Sequence, residues 1–144
     1  MSAPESWKYD VALSYAGEQR PYVERVKARL AEHSVSYYYD REDPTLLWGR
    51  NLAEELPRIY EHEAASVVIF VSAEYVAKDW TRLERRAALS RAVRERNAYV
   101  LPARFDDSAL PGLIGDVAYA DVSEIEPKEF GDGIVRWLKG LGIL

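Results

Sequence analysis

The chain has 144 residues, 48% hydrophobic and 30% charged, with no cysteine and a net charge of −5. That length fits one domain with a real core, and the composition is that of a folded globular protein rather than a disordered or fibrous one. The missing cysteines exclude disulfides, thiolate nucleophiles and thiolate-bound zinc, and the acidic balance works against a nucleic-acid-binding role.

In chain order, residues 1–6 read as an N-terminal tail and 7–144 as the domain. Tyr9 to Ser14 is a short apolar run ending in small polar residues, as expected of a strand buried on both faces of a parallel sheet. After a turn at Ala16-Gly17-Glu18, the segment Pro21 to Glu32 places Val23, Val26 and Leu30 on one helical stripe, with Pro21 suited to a first turn. Val35 to Tyr39 is β-branched and aromatic and predicts a second strand, followed by a long charged loop over Asp40 to Gly49.

Asn51 is placed to cap a helix with Leu52, Leu56 and Ile59 as its stripe, shortened or kinked by Pro57. Ser66 to Ser72 is the most apolar run and predicts a central strand. A long helix, in one piece or two, is expected from about Glu74 to Arg96, then a fourth strand over Tyr99 to Arg104 stopped by the Asp106-Asp107 turn. Val117 to Val122 predicts a last strand, and Phe130, Ile134, Trp137, Leu138 and Leu141 mark a closing amphipathic helix after Pro127. Five β-α pairs predict an α/β fold: a flavodoxin-like three-layer sandwich, with a five-stranded parallel sheet, helices on both faces and ligands at the carboxyl ends of the strands.

Several familiar chemistries are missing. No Gly-x-x-x-x-Gly-Lys-Ser/Thr loop and no Gly-x-Gly-x-x-Gly follow the first strand, so neither a phosphate loop nor a dinucleotide fingerprint is present. The two histidines, His33 and His62, stand near expected helix ends as surface or capping residues, which leaves no metal site and no Ser-His-Asp triad. Asp106-Asp107 and Glu54-Glu55 are adjacent acids of the kind that is usually solvated. The arginine-rich stretch from Arg82 to Arg96 is interleaved with Glu84 and Glu95 and spread over several faces, as on a solvated helix rather than a nucleic-acid contact. The N-terminus has no signal-peptide pattern and no apolar run is long enough to span a bilayer, so a cytoplasmic location without membrane contact is expected.

Four segments in order resemble the TIR (Toll/interleukin receptor) family, particularly its bacterial NAD-cleaving branch, from Trp7 to about Leu141. Tyr9-Asp10-Val11-Ala12-Leu13-Ser14-Tyr15 looks like the family's first-strand box, although Ala16-Gly17 replaces the basic pair of some eukaryotic members. Tyr39-Asp40 followed by Leu47-Trp48-Gly49-Arg50-Asn51-Leu52 resembles its second box and BB loop. Ser72-Ala73-Glu74-Tyr75 and then Trp80-Thr81-Arg82-Leu83-Glu84 resemble the Ser-x-x-Tyr and Trp-x-x-x-Glu of enzymatic members, the most specific of the four signals. Leu101 to Asp107 and Leu110-Pro111-Gly112-Leu113 resemble the bacterial fourth strand and its following loop.

The resemblance implies an NAD glycohydrolase or cyclase with NAD as substrate and no cofactor or metal. Glu84 is the expected catalytic residue, and Ser14, Tyr15, Asp40, Trp48 and Trp80 are expected substrate contacts. Trp80 and Glu84 stand four positions apart, which on a helix sets an aromatic wall beside a carboxylate. Departure of nicotinamide builds positive charge on the ribose, and a fixed carboxylate in a dry site stabilises charge that exists only then. Capture by water gives ADP-ribose, and capture by the adenine ring gives a cyclic product. Self-association through the BB loop, a separate effector that senses the product and a Thoeris-like antiphage role as a stand-alone domain are further expectations. The alternatives are a non-enzymatic TIR-TIR interaction module acting through the BB loop, and another ribosyl-transferring enzyme on a similar sheet.

Overall fold

A computed structural model describes residues 7–39, 59, 63–80, 87, 99–111 and 118–144. Five parallel strands form one sheet: β1 Val11–Ser14, β2 Tyr37–Tyr39, β3 Ser66–Val71, β4 Tyr99–Arg104 and β5 Ala120–Asp121, in the order β2-β1-β3-β4-β5. This is the flavodoxin-like order expected from the alternation of strands and helices. All residues of β1 and β3 are buried, which is why both read as unbroken apolar runs instead of alternating ones.

Two helices are described in full, α1 Arg20–Glu32 and α2 Pro127–Gly140. Each carries a proline in its first turn, where a missing N–H costs no helical hydrogen bond. Both end in the same hydrogen-bond pattern. Ser34 N donates to Ala31 O and Val35 N to Leu30 O after α1, while Gly142 N donates to Lys139 O and Ile143 N to Leu138 O after α2. This closure requires a left-handed residue just past the helix, and Ser34 (φ 58°) and Gly142 (φ 79°) supply it.

Successive strand side chains point to opposite faces and so build two cores. Val11, Leu13, Tyr15, Val68 and Phe70 meet Val23, Val26 and Leu30 of α1 and Phe130, Ile134 and Leu138 of α2. Ala12, Ala16, Val67, Ile69 and Val71 face the other way, against Ile59, Tyr75, Trp80 and Leu110. On the first face Tyr22 donates its hydroxyl to Ile125 O at 2.8 Å; burial, with Glu126 and Glu129 adding to it, pushes its pKa up to about 12 and keeps it a donor.

The expected elements differ from the observed ones mainly at their ends. Tyr9 makes only a bridge to Ala64, and β1 begins at Val11, because Asp10 N and Ser36 N exchange hydrogen bonds with each other's side chains. The helix expected from Glu74 starts with Ala73 and Glu74 in α-helical conformation and passes at once into a π-helical turn, Tyr75–Asp79; Ala87 is helical. The expected Asn51 helix lies outside the described residues except for Ile59, which is buried.

Candidate active site

The chain leaves β1 through α1 to β2 on one side and returns to β3 on the other, so the strand order reverses between β1 and β3. Open parallel sheets bind ligands at the carboxyl ends of the strands at such a reversal. The segments there are Ser14 to Gln19 after β1 and Ser72 to Trp80 after β3.

Ser14 closes β1 and is buried, with its Oγ 2.7 Å from the Tyr75 hydroxyl. The next side chain, Tyr15, turns to the α1 face and stacks on Tyr39, centroids 5.2 Å apart and planes 8° from parallel. Burial raises the Tyr39 pKa, with Tyr15 opposing and Glu24 reinforcing the shift, while the Lys27 ammonium sits 4.6 Å from its ring. The backbone then enters a tight 3-10 turn, Gly17–Gln19, that leads directly into α1.

The segment after β3 is gripped from several sides. Ser72 Oγ accepts the Tyr75 N–H at 3.1 Å and Ser72 O accepts the Val76 N–H at 3.0 Å. Asp106, just past β4, accepts the Ala73 N–H at 3.0 Å on one oxygen and the Ser108 N–H at 2.9 Å on the other. The Ser108 side chain, against burial and helped by the two N–H groups, holds this carboxyl below its ordinary 3.8. Gln19 Nε2 donates to Glu74 Oε1 at 3.2 Å, and the Lys78 ammonium pairs with the Glu18 carboxylate, so both links cross from one segment to the other.

Tyr75 O closes the π-helical turn by accepting Trp80 N at 2.9 Å. Trp80 is 1% exposed, packs in the second core and donates its indole N–H to Pro111 O at 2.7 Å. Single π-helical turns concentrate at functional sites because the extra residue re-aims the side chains of the next turn.

Of the expected site residues, Ser14 and Trp80 are joined through Tyr75, whereas Tyr15 lies on the opposite face of the sheet. Asp40, Trp48 and Glu84 lie outside the described residues. Tyr75 and Asp106 were visible in the motifs but not as site members, since Tyr75 meets Ser14 across 61 positions and Asp106 meets Ala73 across 33. Among the described residues no group of three or more His, Asp or Glu is placed to hold a metal ion, and no helix is long and apolar enough to cross a membrane.

Comparison with known proteins agrees with this architecture. The 3' cyclic ADP-D-ribose synthase AaTIR of Aquimarina amphilecti is 44% identical over 134 residues, covering 93% of this chain and 41% of that protein, so the chain spans less than half of its relative's length. The TIR domains of the activated Roq1 resistosome directly recognizing the pathogen effector XopQ superpose with a TM-score of 0.58 at 20% identity, covering 92% of this chain and 81% of that one, which supports the fold. Residues 11–138, from the start of β1 to the last turn of α2, match the family described as TIR domain, and the chain belongs to that family.

Proposed function

We propose that this domain cleaves the nicotinamide-ribose bond of NAD and closes the remaining ADP-ribose into a cyclic product, with ADP-ribose as the hydrolytic side product. The likeness to a cyclic ADP-D-ribose synthase along nearly the whole chain carries this reading. The bond between ribose C1 and the nicotinamide nitrogen breaks, its electron pair leaves with nicotinamide, and the ribose is left as an oxocarbenium-like cation. A water oxygen that captures C1 gives ADP-ribose and releases one proton. A hydroxyl of the same molecule that captures C1 gives the cyclic product and also releases one proton. The relative's 3' product favours an oxygen nucleophile over an adenine nitrogen in the closure.

In this scheme Glu84 faces the cation as a carboxylate, which lowers the barrier because the charge exists only in the transition state. Asp40 and Trp48 contact the substrate. Ser14 and Trp80, buried in the single chain, back the site at the strand ends, and Tyr15 supports it from the opposite face of the sheet. Two copies meeting through the BB loop complete the site. The reaction takes place in the cytoplasm, and a separate effector reads the product in antiphage defence.

The test is NAD consumption by concentrated protein, with chromatographic identification of products, beside Glu84→Ala. The variant is expected to lose about 10²–10³ in kcat, the scale of removing one electrostatic stabiliser, with an unchanged melting temperature. Undiminished turnover in Glu84→Ala would remove Glu84 from the chemistry.

A further inference from the structure

We propose that Tyr75 is a positioning residue of this site, one whose hydroxyl bond to Ser14 sets the partition between cyclisation and hydrolysis. The inference rests on the NAD-cleaving reading above. Three polar atoms of Tyr75 are engaged at once, and each engagement reaches a different part of the site. Its N–H is held by Ser72 Oγ at 3.1 Å, at the end of β3. Its hydroxyl lies 2.7 Å from Ser14 Oγ, at the end of β1. Its carbonyl accepts Trp80 N at 2.9 Å and so closes the π-helical turn. The side chain is wholly buried, where losing a hydrogen bond is costly.

The first two contacts fix Tyr75 across the β1–β3 reversal, and the third passes that fixed position to Trp80. Glu84 comes four residues later in the sequence. Trp80 is anchored independently by its indole N–H on Pro111 O, so deleting one hydroxyl shifts the turn without dismantling it. Water and the internal hydroxyl compete for the same cation, and a displacement that disfavours the ordered, folded-back substrate favours water. Tyr75 acts through the turn and touches no reacting atom.

The experiment measures the ratio of cyclic product to ADP-ribose for wild type, Tyr75→Phe, Ser14→Ala and the double variant, alongside kcat, KM and melting temperature. A loss of folded protein scales both products alike and leaves the ratio untouched; a positioning role moves it. The ratio is expected to fall about fivefold in either single variant, the scale of one neutral hydrogen bond. The double variant is expected to lose less than the two single losses combined, since both variants remove the shared bond. If Tyr75→Phe is too unstable to assay, Ser14→Ala, the smaller change, carries the decision. A wild-type ratio in the folded variants, or additive losses in the double one, overturns the positioning role and leaves the NAD-cleaving reading intact. No nicotinamide release from wild type overturns both.

Discussion

On the α1–α2 side of the sheet Phe70 meets the rings of Tyr22, Phe105 and Phe130 at centroid distances of 6.4, 6.1 and 5.9 Å, Tyr15 stacks on Tyr39, and aliphatic side chains pack between them. Across the sheet, where β1 and β3 end, the groups that meet include the hydroxyls of Ser14, Ser72 and Tyr75, all buried. Apart from the Tyr22 bond to Ile125 O, the first region is held mainly by shape and area, which tolerate small shifts because dispersion and hydrophobic contacts are not directional. The second is held by hydrogen bonds that fail within tenths of an ångström and cost more when half-broken than when absent. A domain that must fix substrate walls at strand ends gains from that intolerance, and the apolar layer supplies the stability that offsets it.

If the division is real, damage to the first region should act on stability alone. Phe70→Ala removes a wholly buried ring from the centre of the aromatic cluster. The expected loss is about 3–5 kcal/mol, read as a large drop in the denaturant midpoint. The product ratio of whatever remains folded should match wild type. A changed ratio would mean that the two regions are coupled.

A second substitution probes the helical layer from the outside. Gly131 sits where α2 crosses α1, and a Cβ there would lie 2.8 Å from Arg29 Cβ and 2.9 Å from Arg29 Cγ. Those atoms are the base of the side chain, not its flexible tip, so the two helices must separate. Gly131→Ala is expected to cost about 1–3 kcal/mol although alanine favours helix, whereas at Gly140, where nothing lies within 4 Å, the same change should be neutral or stabilising. Equal effects at the two sites in thermal melts would refute the close-approach argument.

The contrast also explains what the amino-acid sequence revealed. Periodicity reports area, so the apolar layer was legible: β4 runs over the expected residues, α1 begins one residue early, and Val23, Val26 and Leu30 face inward as their spacing requires. Strand β2 begins at Tyr37 instead of Val35, because Val35 N caps α1 and Ser36 is taken up by Asp10. Directional contacts leave no periodic trace. The motif around Ser72 and Tyr75 could be recognised, but the partner at Ser14 and the π-helical turn could not be derived from it. Trp80 read as a wall for a substrate ring; its indole bond to Pro111 O, 31 positions away, left no trace in the motif.

The smallest effect expected is electrostatic and lies at the rim of the helical layer. Asp132 on α2 accepts Arg29 Nε at 2.7 Å and Nη2 at 3.4 Å, and its Oδ1 is 3.1 Å from His33 Nε2. The Arg29 hydrogen bond, against some desolvation and helped by His33, holds the Asp132 carboxyl below its ordinary 3.8. A carboxyl whose folded pKa is depressed binds its proton more readily when unfolded, so the pair stabilises fully above the unfolded value and loses that contribution as pH falls through the folded one. Asp132→Asn should therefore melt below wild type at neutral pH, by less than Gly131→Ala. The gap should narrow as pH falls from about 4 downward, and high salt should shrink it at neutral pH because the pair is partly exposed. A gap that is constant across that pH range would assign the loss to packing between α1 and α2 instead of charge, and would extend the shape-held region to its rim.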